Sequence, residues 1–546
     1  MRINKVYIEN YKNLRDFHID LDCREMKTVL MGQNATGKSN FMEALILIFK
    51  HLDLSKSNDR KLTDFNYIID YTIDEHKINI TVGEVEESEE SEDFKQIDSN
   101  IKKRDYSISV NGETKPFSAF FAQNTKHLYQ PKYVFAYYSG LSNKLEQIFW
   151  DHQKAFYEKI IKKNFRENEL DDLRKLFYVQ LVHSYFVLLA YFSFEDEEKS
   201  SVEFLNEILG IEDLESVLFV LKKPLWKGKG DNRFFGSDGL VKNFLDKVWD
   251  LAIAPIYDSP RIKDNFRTDG KTQQRLYLFI KDKSSLKALA KHYKDNTDFF
   301  KALESLYISD LIEEVRVKVR KRNAGKIVFK ELSEGEQQLL TVLGLLKFTK
   351  AENSLILLDE PDTHLNPIWK WRYLEFLDKV VDKHQSTQII INTHDPLVIG
   401  SLRKEEVRIF RTNHAGKLEV EIPHIDPRAL DVTGILRSEL FGLPSVLSKY
   451  MQLKLNRKRY LQFKIDNNEN SDVEYQEYKK IESEIEESGF NDTTFDPWYD
   501  KYLEAISENP LFQKVEFTDQ EEEELKILSK AIIEKLTKQH FSDETN

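Results

Sequence analysis

Residues 32–39 read GQNATGKS, which has the residue types and spacing of a phosphate-binding loop. Apolar residues at 28–31 and 41–49 predict the strand and the helix that flank such a loop. Its glycines let backbone N–H groups turn toward phosphate oxygens at the positive end of the helix. We expect Lys38 to reach the β- and γ-phosphates of ATP and Ser39 to bind Mg²⁺. The predicted ATP contacts here are Gly32, Gln33, Asn34, Ala35, Thr36, Gly37, Lys38 and Ser39.

Two acidic residues, Asp359 and Glu360, directly follow the apolar run at 354–358. Such a run is expected of a strand buried on both faces, and ligands bind at the edge where parallel strands emerge. We assign Asp359 to Mg²⁺ and Glu360 to the activation of the water that attacks the γ-phosphate. Alone, an acidic pair in this position more often ends a strand in a solvated turn. The phosphate loop earlier in the chain favours the catalytic interpretation.

His394 follows a second β-rich run, QIIIN at 388–392, and Pro396 stops that strand. A histidine after a strand is usually a surface residue. Its spacing after Asp359 favours a switch role, in which the imidazole donates a hydrogen bond to the γ-phosphate or to the attacking water.

The segment LSEGEQQLLTVLGLLKF, from Leu332, predicts a helix capped by Ser333. Its apolar residues recur at helical spacing, and Gly335 permits a close backbone approach. A second helix N-terminus of this kind suits an anion, but the first helix already serves the phosphates of this chain. The signature segment is therefore expected to close on a nucleotide held by another copy; the alternative is a plain capped core helix.

In this order, the four segments resemble the motifs of the ABC-type ATPases of the RecF, SMC and OLD branch, in which two heads enclose two ATP molecules. The resemblance implies an α/β fold: an ABC-type P-loop ATPase head split by a helical insertion, with a C-terminal helical region. It places Ser333 and Gly335 on the opposite nucleotide. It places Asp362, in PDTHLNP, at the loop that touches the partner head. ATP and Mg²⁺ are the implied cofactors.

Two departures from the family pattern concern the signature and the Q-loop. Glu334 stands where transporter relatives usually carry glycine. The glutamine of the Q-loop has two candidates, Gln123 and Gln147. These departures concern the rate of ATP hydrolysis and its coupling to movement of the heads, and not ATP binding.

Segments 221–240 and 431–450 further resemble the PtuA ATPases of bacterial retron and Septu anti-phage defence systems. This resemblance implies a homodimer or higher oligomer that holds and regulates an HNH nuclease (PtuB). In the retron version it also implies a reverse transcriptase with its multicopy single-stranded DNA. One alternative is a RecF-like DNA repair ATPase that binds DNA directly without a toxic effector. Another is a nucleotide-bound scaffold with negligible turnover.

Composition is compatible with a folded cytoplasmic protein. The 546 residues are 40% hydrophobic, and the formal net charge is −13. A single cysteine, Cys23, excludes an intramolecular disulfide framework. The first residues lack the apolar region of a signal peptide, and the longest apolar stretch, near 185–194, is too short to cross a bilayer.

The acidic net charge disfavours a protein coated for non-specific DNA binding, but three segments are locally basic. They are RVKVRKRNAGK at 316–326, KKPLWKGKGDNR at 222–233 and KLNRKRYLQFK at 454–464. The first alternates valine with basic residues, which predicts a strand with one basic face. Such segments can grip phosphates, and Trp226 could stack on a base. The alternative is a solvated face that balances acidic neighbours.

Patterns along the chain predict four regions: 1–140, an N-terminal head lobe with the phosphate loop; 141–271, a helical insertion; 272–430, a C-terminal head lobe; and 431–546, a helical region. The acidic stretch at 84–93 is expected to be an exposed loop. The C-terminal region shows no nuclease motif, so a cutting activity would belong to another chain.

Overall fold

In the computed structural model, the described residues are 1–22, 24–83, 106–140, 144–163, 175–197, 199–226, 228–263, 267, 270–346, 353–380, 386–413, 416–443, 447–466, 470–488, 528–530 and 532. Cys23 and the acidic segments at 84–93 and 519–524 lie outside them. The chain divides into two compact units, Met1–Pro444 and Ser445–Asn546.

Among the described residues, the strands all belong to the first unit. In chain order they are β1 Arg2–Tyr11, β2 Leu14–Asp20, β3 Lys27–Gly32, β4 Tyr67–Ile73, β5 His76–Val82, β6 Tyr106–Val110, β7 Glu113–Thr114, β8 Val134–Tyr138, β9 Leu176–Val179, β10 Ile211–Lys222, β11 Ile253–Asp258, β12 Arg261–Ile262, β13 Lys271–Thr272, β14 Arg275–Ile280, β15 Ile312–Lys321, β16 Gly325–Val328, β17 Leu355–Asp359, β18 Gln388–Asn392, β19 Val407–Thr412 and β20 Leu418–Glu421.

Helices occur in both units. In the first unit they are α1 Lys38–Leu54, α2 Phe117–Phe120, α3 Lys126–Tyr129, α4 Lys144–Ile148, α5 Trp150–Ile160, α6 Val182–Ser193, α7 Lys199–Leu209, α8 Gly239–Leu251, α9 Lys283–Ala290, α10 Asn296–Ile308, α11 Glu334–Leu339, α12 Pro367–Val380, α13 Pro396–Ile399 and α14 Val432–Arg437. In the second unit they are α15 Lys449–Asp466 and α16 Asp472–Glu487.

The central sheet has the strand order β20-β19-β3-β18-β17-β8-β9. Neighbouring strands are parallel except β20, which pairs antiparallel with β19. Parallel strands present their carboxyl ends at the same edge of a sheet, so the loops after β3, β17 and β18 meet there. The three strands end at Gly32, Asp359 and Asn392, and β18 lies between the other two strands.

The central strands are buried on both faces, as their continuous apolar runs predict. In β17, Ile356 and Leu358 pack into one core cluster, whereas Leu355 and Leu357 pack into another. The second cluster also contains α1 and the inner face of a six-stranded antiparallel sheet with the order β2-β1-β4-β5-β6-β7. The helix that begins at the phosphate loop is thus held in a core shared by two sheets.

The region expected to be a helical insertion contains strands as well as helices. Helices α4 to α8 lie there, but β9 pairs with β8 in the central sheet. Strands β10 and β11 join β14, β15 and β16 in a five-stranded antiparallel sheet with the order β11-β14-β10-β15-β16. The run VLFVL in β10 is apolar enough for either a helix or a strand, and pairing with both β14 and β15 decides for the strand.

Strand β14, in the region predicted as the C-terminal head lobe, pairs with β10 and β11 and not with the central sheet. The apolar stretch at 185–194 lies in α6, whose residues are almost all buried. Among the described residues, no helix has both the length and the apolar character needed to cross a membrane.

The core position of β18 gives a stability prediction. Ile390 is fully buried, whereas Ile368 on α12 is 68% exposed. Ile390→Ala should lower the free energy of unfolding by about 2–5 kcal/mol, because it removes buried methyl groups and leaves a cavity. Urea titration followed by circular dichroism would measure the change. Ile368→Ala is the matched control, and equal effects of both substitutions would contradict the buried position of β18.

Candidate functional site

The phosphate loop has a backbone suited to an anion. Gly32, Ala35 and Gly37 all have positive φ, at 140°, 66° and 96°. A Cβ at Gly32 would lie 2.4 Å from the carbonyl oxygen of Phe410, and one at Gly37 would lie 2.9 Å from the Leu14 side chain. Both glycines are therefore required by left-handed backbone and by close packing. The tip of the loop, Gln33 to Ala35, is exposed.

Lys38 folds back onto its own loop. Its Nζ donates to the carbonyl oxygens of Gly32 at 2.8 Å and Gln33 at 3.0 Å. Burial lowers the pKa of this lysine, while the charges of Glu360 and Asp359 act in the opposite direction. The ammonium group thus lies between the loop carbonyls and the acidic pair, where a phosphate oxygen could take over its hydrogen bonds.

Asn13, which the sequence did not single out, supports the loop from outside. Its Nδ2 donates to the carbonyl oxygen of Ala35 at 2.9 Å, and its Oδ1 accepts from Asn40 at 2.6 Å. It follows β1 in a short turn, so only the tertiary fold brings it to the phosphate loop.

Asp359 is buried at the end of β17 and is linked to Ser39 through Asn392. The Asn392 Nδ2 donates to Asp359 Oδ1 and lies 3.4 Å from Ser39 Oγ. Burial raises the pKa of Asp359, which hydrogen bonds from Ser39 and Asn392 partly oppose. Its Oδ2 is buried without a hydrogen-bond partner in the described part of the chain.

These groups fit a hard divalent cation. A carboxylate oxygen without a partner beside a serine hydroxyl is the donor set that Mg²⁺ prefers, with waters and phosphate oxygens completing the octahedron. Among the described residues, no group of three or more His, Cys, Asp or Glu side chains forms a separate metal site. Mg²⁺ would therefore be held by Ser39, Asp359 and the nucleotide together.

Glu360 and His394 form a pair at the same edge of the central sheet as Asp359. His394 Nδ1 lies 2.8 Å from Glu360 Oε1, and the Glu360 N–H donates to the carbonyl oxygen of Asn392 at 2.8 Å. Glu360 has a φ of 54°, a left-handed conformation that is costly for a residue with a side chain and that often occurs at functional sites. The structure thus brings together the two residues proposed as catalytic, from the ends of adjacent strands.

Asp362 lies in the loop that follows the acidic pair, and its side chain is turned into the protein. Its side chain is only 2% exposed, and its Oδ2 accepts a hydrogen bond from Thr393 Oγ1 at 3.0 Å. The Asp362 side chain therefore supports the loop from inside, and the contact of this loop with a partner head stays a prediction. The exposed residues between Glu360 and the start of α12 are Thr363, His364 and Asn366.

The signature helix begins as predicted. Ser333 Oγ accepts from the Glu336 N–H at 3.3 Å, and the Ser333 N–H donates to Glu336 Oε2 at 3.0 Å, forming a capping box. Helix α11 then continues into a π-helical turn, Leu340–Gly344. A Cβ at Gly335 would lie 2.6 Å from the carbonyl oxygen of His364, so glycine allows the helix to pack on that loop. Ser333 and Glu334 are exposed.

Neither Q-loop candidate is found at the acidic pair. Gln123 and Gln147 are both exposed, the latter on α4. The end of β8 lies beside the acidic pair instead and carries Tyr138 and Ser139. The Ser139 N–H donates to the carbonyl oxygen of Asp359 at 3.2 Å.

Other residues at the site were also missed. They share the property of ending or following an apolar strand, which was the only available signal: Asn392, Thr393, Tyr138 and Ser139.

The basic segments are largely neutralised within the chain. On β15, Arg316 pairs with Glu314, and Arg320 with Asp213. The alternating burial of this strand confirms the predicted basic face, but acidic neighbours balance it. In the second unit, the basic residues of α15 pair with glutamates of α16: Lys454–Glu484, Arg457–Glu477, Lys458–Glu482 and Lys464–Glu474.

Trp226 is not available to stack on a base. Its Nε1 donates to the carbonyl oxygen of Ser309 at 2.8 Å, and its ring packs against the large core. In the same segment, Lys222 Nζ lies 2.8 Å from Asp310 Oδ1. These contacts favour the alternative of a solvated, charge-balanced surface.

Two family models match the chain, one over its N-terminal part and one over its middle part. The model described as "AAA ATPase domain" matches residues 1–203, which include the phosphate loop. The model described as "AAA domain, putative AbiEii toxin, Type IV TA system" matches residues 242–400, which include the signature helix, the acidic pair and His394. The central sheet and the loops at its edge are those of an ABC-type P-loop ATPase head.

Curated relatives match over short segments. The Septu protein PtuA of Bacillus mycoides (strain KBAB4) is 25% identical over 166 residues, which are 28% of this chain and 23% of the relative. The DNA replication and repair protein RecF of Staphylococcus carnosus (strain TM300) is 35% identical over 66 residues, which are 12% of this chain and 17% of the relative. The chain thus spans less than a quarter of the length of each.

Among solved structures, the SMC head domain from Thermotoga maritima is 12% identical, with a TM-score of 0.32, and the match covers 78% of this chain and all of that one. This structural similarity is too weak to support a conclusion about the fold. The family models and the curated relatives confirm the predicted resemblance to the RecF and SMC branch of ABC-type ATPases. The PtuA ATPases are among the relatives.

The burial of Asp362 predicts a pH-dependent stability. Burial raises the pKa of Asp362 to about 6, with the charges of Glu360 and Asp395 adding to the effect. The folded state therefore holds a proton that the unfolded state releases, and this stabilisation is lost as the pH rises through about 6. Relative to Asp362→Asn, the wild type should lose about 1.4 kcal/mol of unfolding free energy between about pH 5 and about pH 7.5.

Urea unfolding of both proteins across this range would measure the difference. Asp250→Asn, at an exposed position on α8, is the matched control and should leave the pH profile unchanged. A constant difference between wild type and Asp362→Asn would contradict the raised pKa.

Proposed function

We propose that this chain binds ATP and Mg²⁺, dimerises head to head and hydrolyses ATP. The observation that carries the proposal is the meeting of Lys38, Asp359, Glu360 and His394 at one sheet edge. When bound, Mg²⁺ would neutralise charge that develops on the transferring phosphoryl group. Glu360, hydrogen-bonded to His394, would orient and deprotonate the attacking water.

Two exposed surfaces favour a nucleotide pocket that is shared by two chains. Ser333 and Glu334 are exposed at the start of α11, and the tip of the phosphate loop is exposed as well. In the proposed dimer, the N-terminus of α11 of one copy would complete the nucleotide pocket of the other, with N–H groups aimed at the γ-phosphate. Ser333 and Gly335 would supply that contact.

We further propose that the ATPase belongs to a bacterial anti-phage defence system of the retron type. It would hold and regulate an HNH nuclease and, through a reverse transcriptase, its multicopy single-stranded DNA. The match to a Septu PtuA supports a role in defence. ATP-dependent closure of the heads would set whether the nuclease is restrained or released.

The matches to RecF favour a second candidate, a DNA repair ATPase that binds DNA directly and has no toxic effector. The internal ion pairs of β15 and α15 weaken this candidate, because they neutralise two of the basic segments. Co-purification with the products of neighbouring genes separates the two: a nuclease partner supports defence, whereas DNA binding by the isolated chain supports repair.

Glu360→Gln tests the hydrolytic role. It should reduce ATP turnover by about 100-fold or more, because the general base is lost while the size and shape of the side chain are nearly kept. ATP affinity, measured by calorimetry, should stay close to that of the wild type. Lys38→Ala should instead abolish nucleotide binding.

Glu158→Gln, at an exposed position on α5, is the control for the loss of a surface carboxylate. Equal, slow hydrolysis by wild type and Glu360→Gln would refute the catalytic assignment and would support a nucleotide-bound scaffold.

A mixing experiment tests the shared pocket. Lys38→Ala and Ser333→Arg should each be inactive alone. A heterodimer of the two contains one pocket with both an intact phosphate loop and an intact signature. An equal mixture should therefore recover about a quarter of wild-type turnover, since half of the dimers carry one working pocket of two. A mixture that stays inactive, although the chains exchange, would falsify the proposed head-to-head arrangement.

A further inference from the structure

A cavity of about 650 Å³ lies beside the proposed ATP site, beyond the carboxyl ends of β8 and β9 and next to α11. No motif identified in the sequence accounts for it. Among the described residues, its lining is dominated by tyrosine rings and side-chain amides and contains no lysine or arginine. The rings of Tyr138 and Tyr178 lie on one face of the central sheet, and those of Tyr137 and Tyr307 lie on the other. The amides are those of Gln180, Gln337 and Gln338.

In the described part of the lining, the charged side chains are the carboxylates of Glu146 and Glu334, which favours a positively charged ligand. A phosphate or a nucleic-acid backbone would need cationic partners. Faces of aromatic rings attract cations, and a cage of several rings is a known way to bind an organic ammonium or guanidinium group. The lining therefore favours a cation.

Two carboxylates strengthen this preference. Glu146, on α4, is half-buried in the lining and has no ion-pair partner among the described residues. It lies near the Tyr178 hydroxyl: burial and then the Glu146 charge raise the pKa of Tyr178 to about 12. At the mouth, Glu334 lies 3.3 Å from His364. A partly buried carboxylate without a cation is costly to the isolated chain and would be compensated by a positively charged ligand.

The walls are held in place by hydrogen bonds. The Tyr307 hydroxyl donates to Gln180 Oε1. Gln338 donates to the Tyr137 hydroxyl at 3.1 Å and accepts from the His364 N–H at 3.1 Å. A cavity fixed in this way loses little conformational entropy when it binds a ligand.

The rim suits a protein partner more than a small ion. Leu181 is 50% exposed at the edge of the cavity, next to Val182. The volume lies in the range of pockets that enclose a drug-sized ligand, well above the need of one small cation. An arginine or lysine side chain would lie against the Tyr138 and Tyr178 rings near Glu146, and its flanking apolar residues would contact the rim.

The cavity is also connected to the proposed catalytic residues. Ser139 lines it, donates its N–H to the carbonyl oxygen of Asp359 at 3.2 Å and lies 3.1 Å, Oγ to Oγ1, from Thr363. His364, two residues beyond Asp362, lines it too. An occupant would therefore lie one contact away from the loop that carries the acidic pair.

We propose that this cavity binds an arginine or lysine side chain presented by a protein partner, with the Tyr138 and Tyr178 rings and Glu146 as its recognition elements. The proposal does not depend on ATP hydrolysis by this chain.

Fluorescence anisotropy with the full-length chain would test it. The probes are a labelled pentapeptide, acetyl-Gly-Leu-Arg-Leu-Gly-amide, and its citrulline counterpart, which is neutral but has nearly the same shape. The arginine peptide should bind at least about tenfold more tightly, because only a charged group gains from the rings and the carboxylate. Glu146→Gln should remove most of this difference.

Two variants complete the test. Glu203→Gln, at an exposed position on α7, should leave both affinities unchanged. Leu181→Arg, which places a cation at the rim, should block the arginine peptide while leaving ATP binding and thermal stability as in wild type. Equal affinity for the two peptides, no binding of either, or an unchanged affinity in Glu146→Gln would overturn the proposal. So would binding of labelled oligothymidine that Leu181→Arg alters, since that would make the cavity a nucleic-acid site.

Discussion

The candidate site depends on the parallel pairing of β3, β18 and β17, and above all on Asn392 at the end of the middle strand. Its side chain donates to Asp359 and lies 3.4 Å from Ser39, so one amide aligns the two proposed Mg²⁺ ligands. Its carbonyl oxygen accepts from the Glu360 N–H at 2.8 Å. Since β18 is buried on both faces, its register cannot slip without moving apolar side chains into the wrong core. Packing of the strands thus sets the geometry of the chemistry.

In the same region, charged side chains lie close together and affect one another's protonation. Lys38 lies close enough to Asp359 and Glu360 for their charges to oppose the lowering of its pKa by burial. Buried polar groups are costly unless they are paired, and here the pairing is incomplete: one oxygen of Asp359 has no partner among the described residues. A nucleotide with its metal would satisfy these groups together. The isolated chain therefore has polar groups at this site that its own side chains do not satisfy and that are available to a ligand.

Much of the fold was predictable from local patterns. The apolar runs before Gly32 and Asp359 form central strands, and the helix after Ser333 is capped as expected. The composition of the region at 141–271 was less informative. A run such as VLFVL has no period that separates a helix from a strand, and the distant partners β14 and β15 decide the outcome. Long-range pairing of this kind leaves little trace in the sequence of one strand.

By itself, the sequence determined which residue types are available for phosphate, metal and water, because the phosphate loop and the acidic pair are local patterns that adopt local structure. The tertiary structure decided which of them face a ligand. It turned Asp362 inward to Thr393, engaged Trp226 with the carbonyl oxygen of Ser309 and assembled a tyrosine-lined cavity from distant elements. The physical reason is that side-chain direction and burial follow from packing between elements far apart in the chain. No spacing along the chain records that packing.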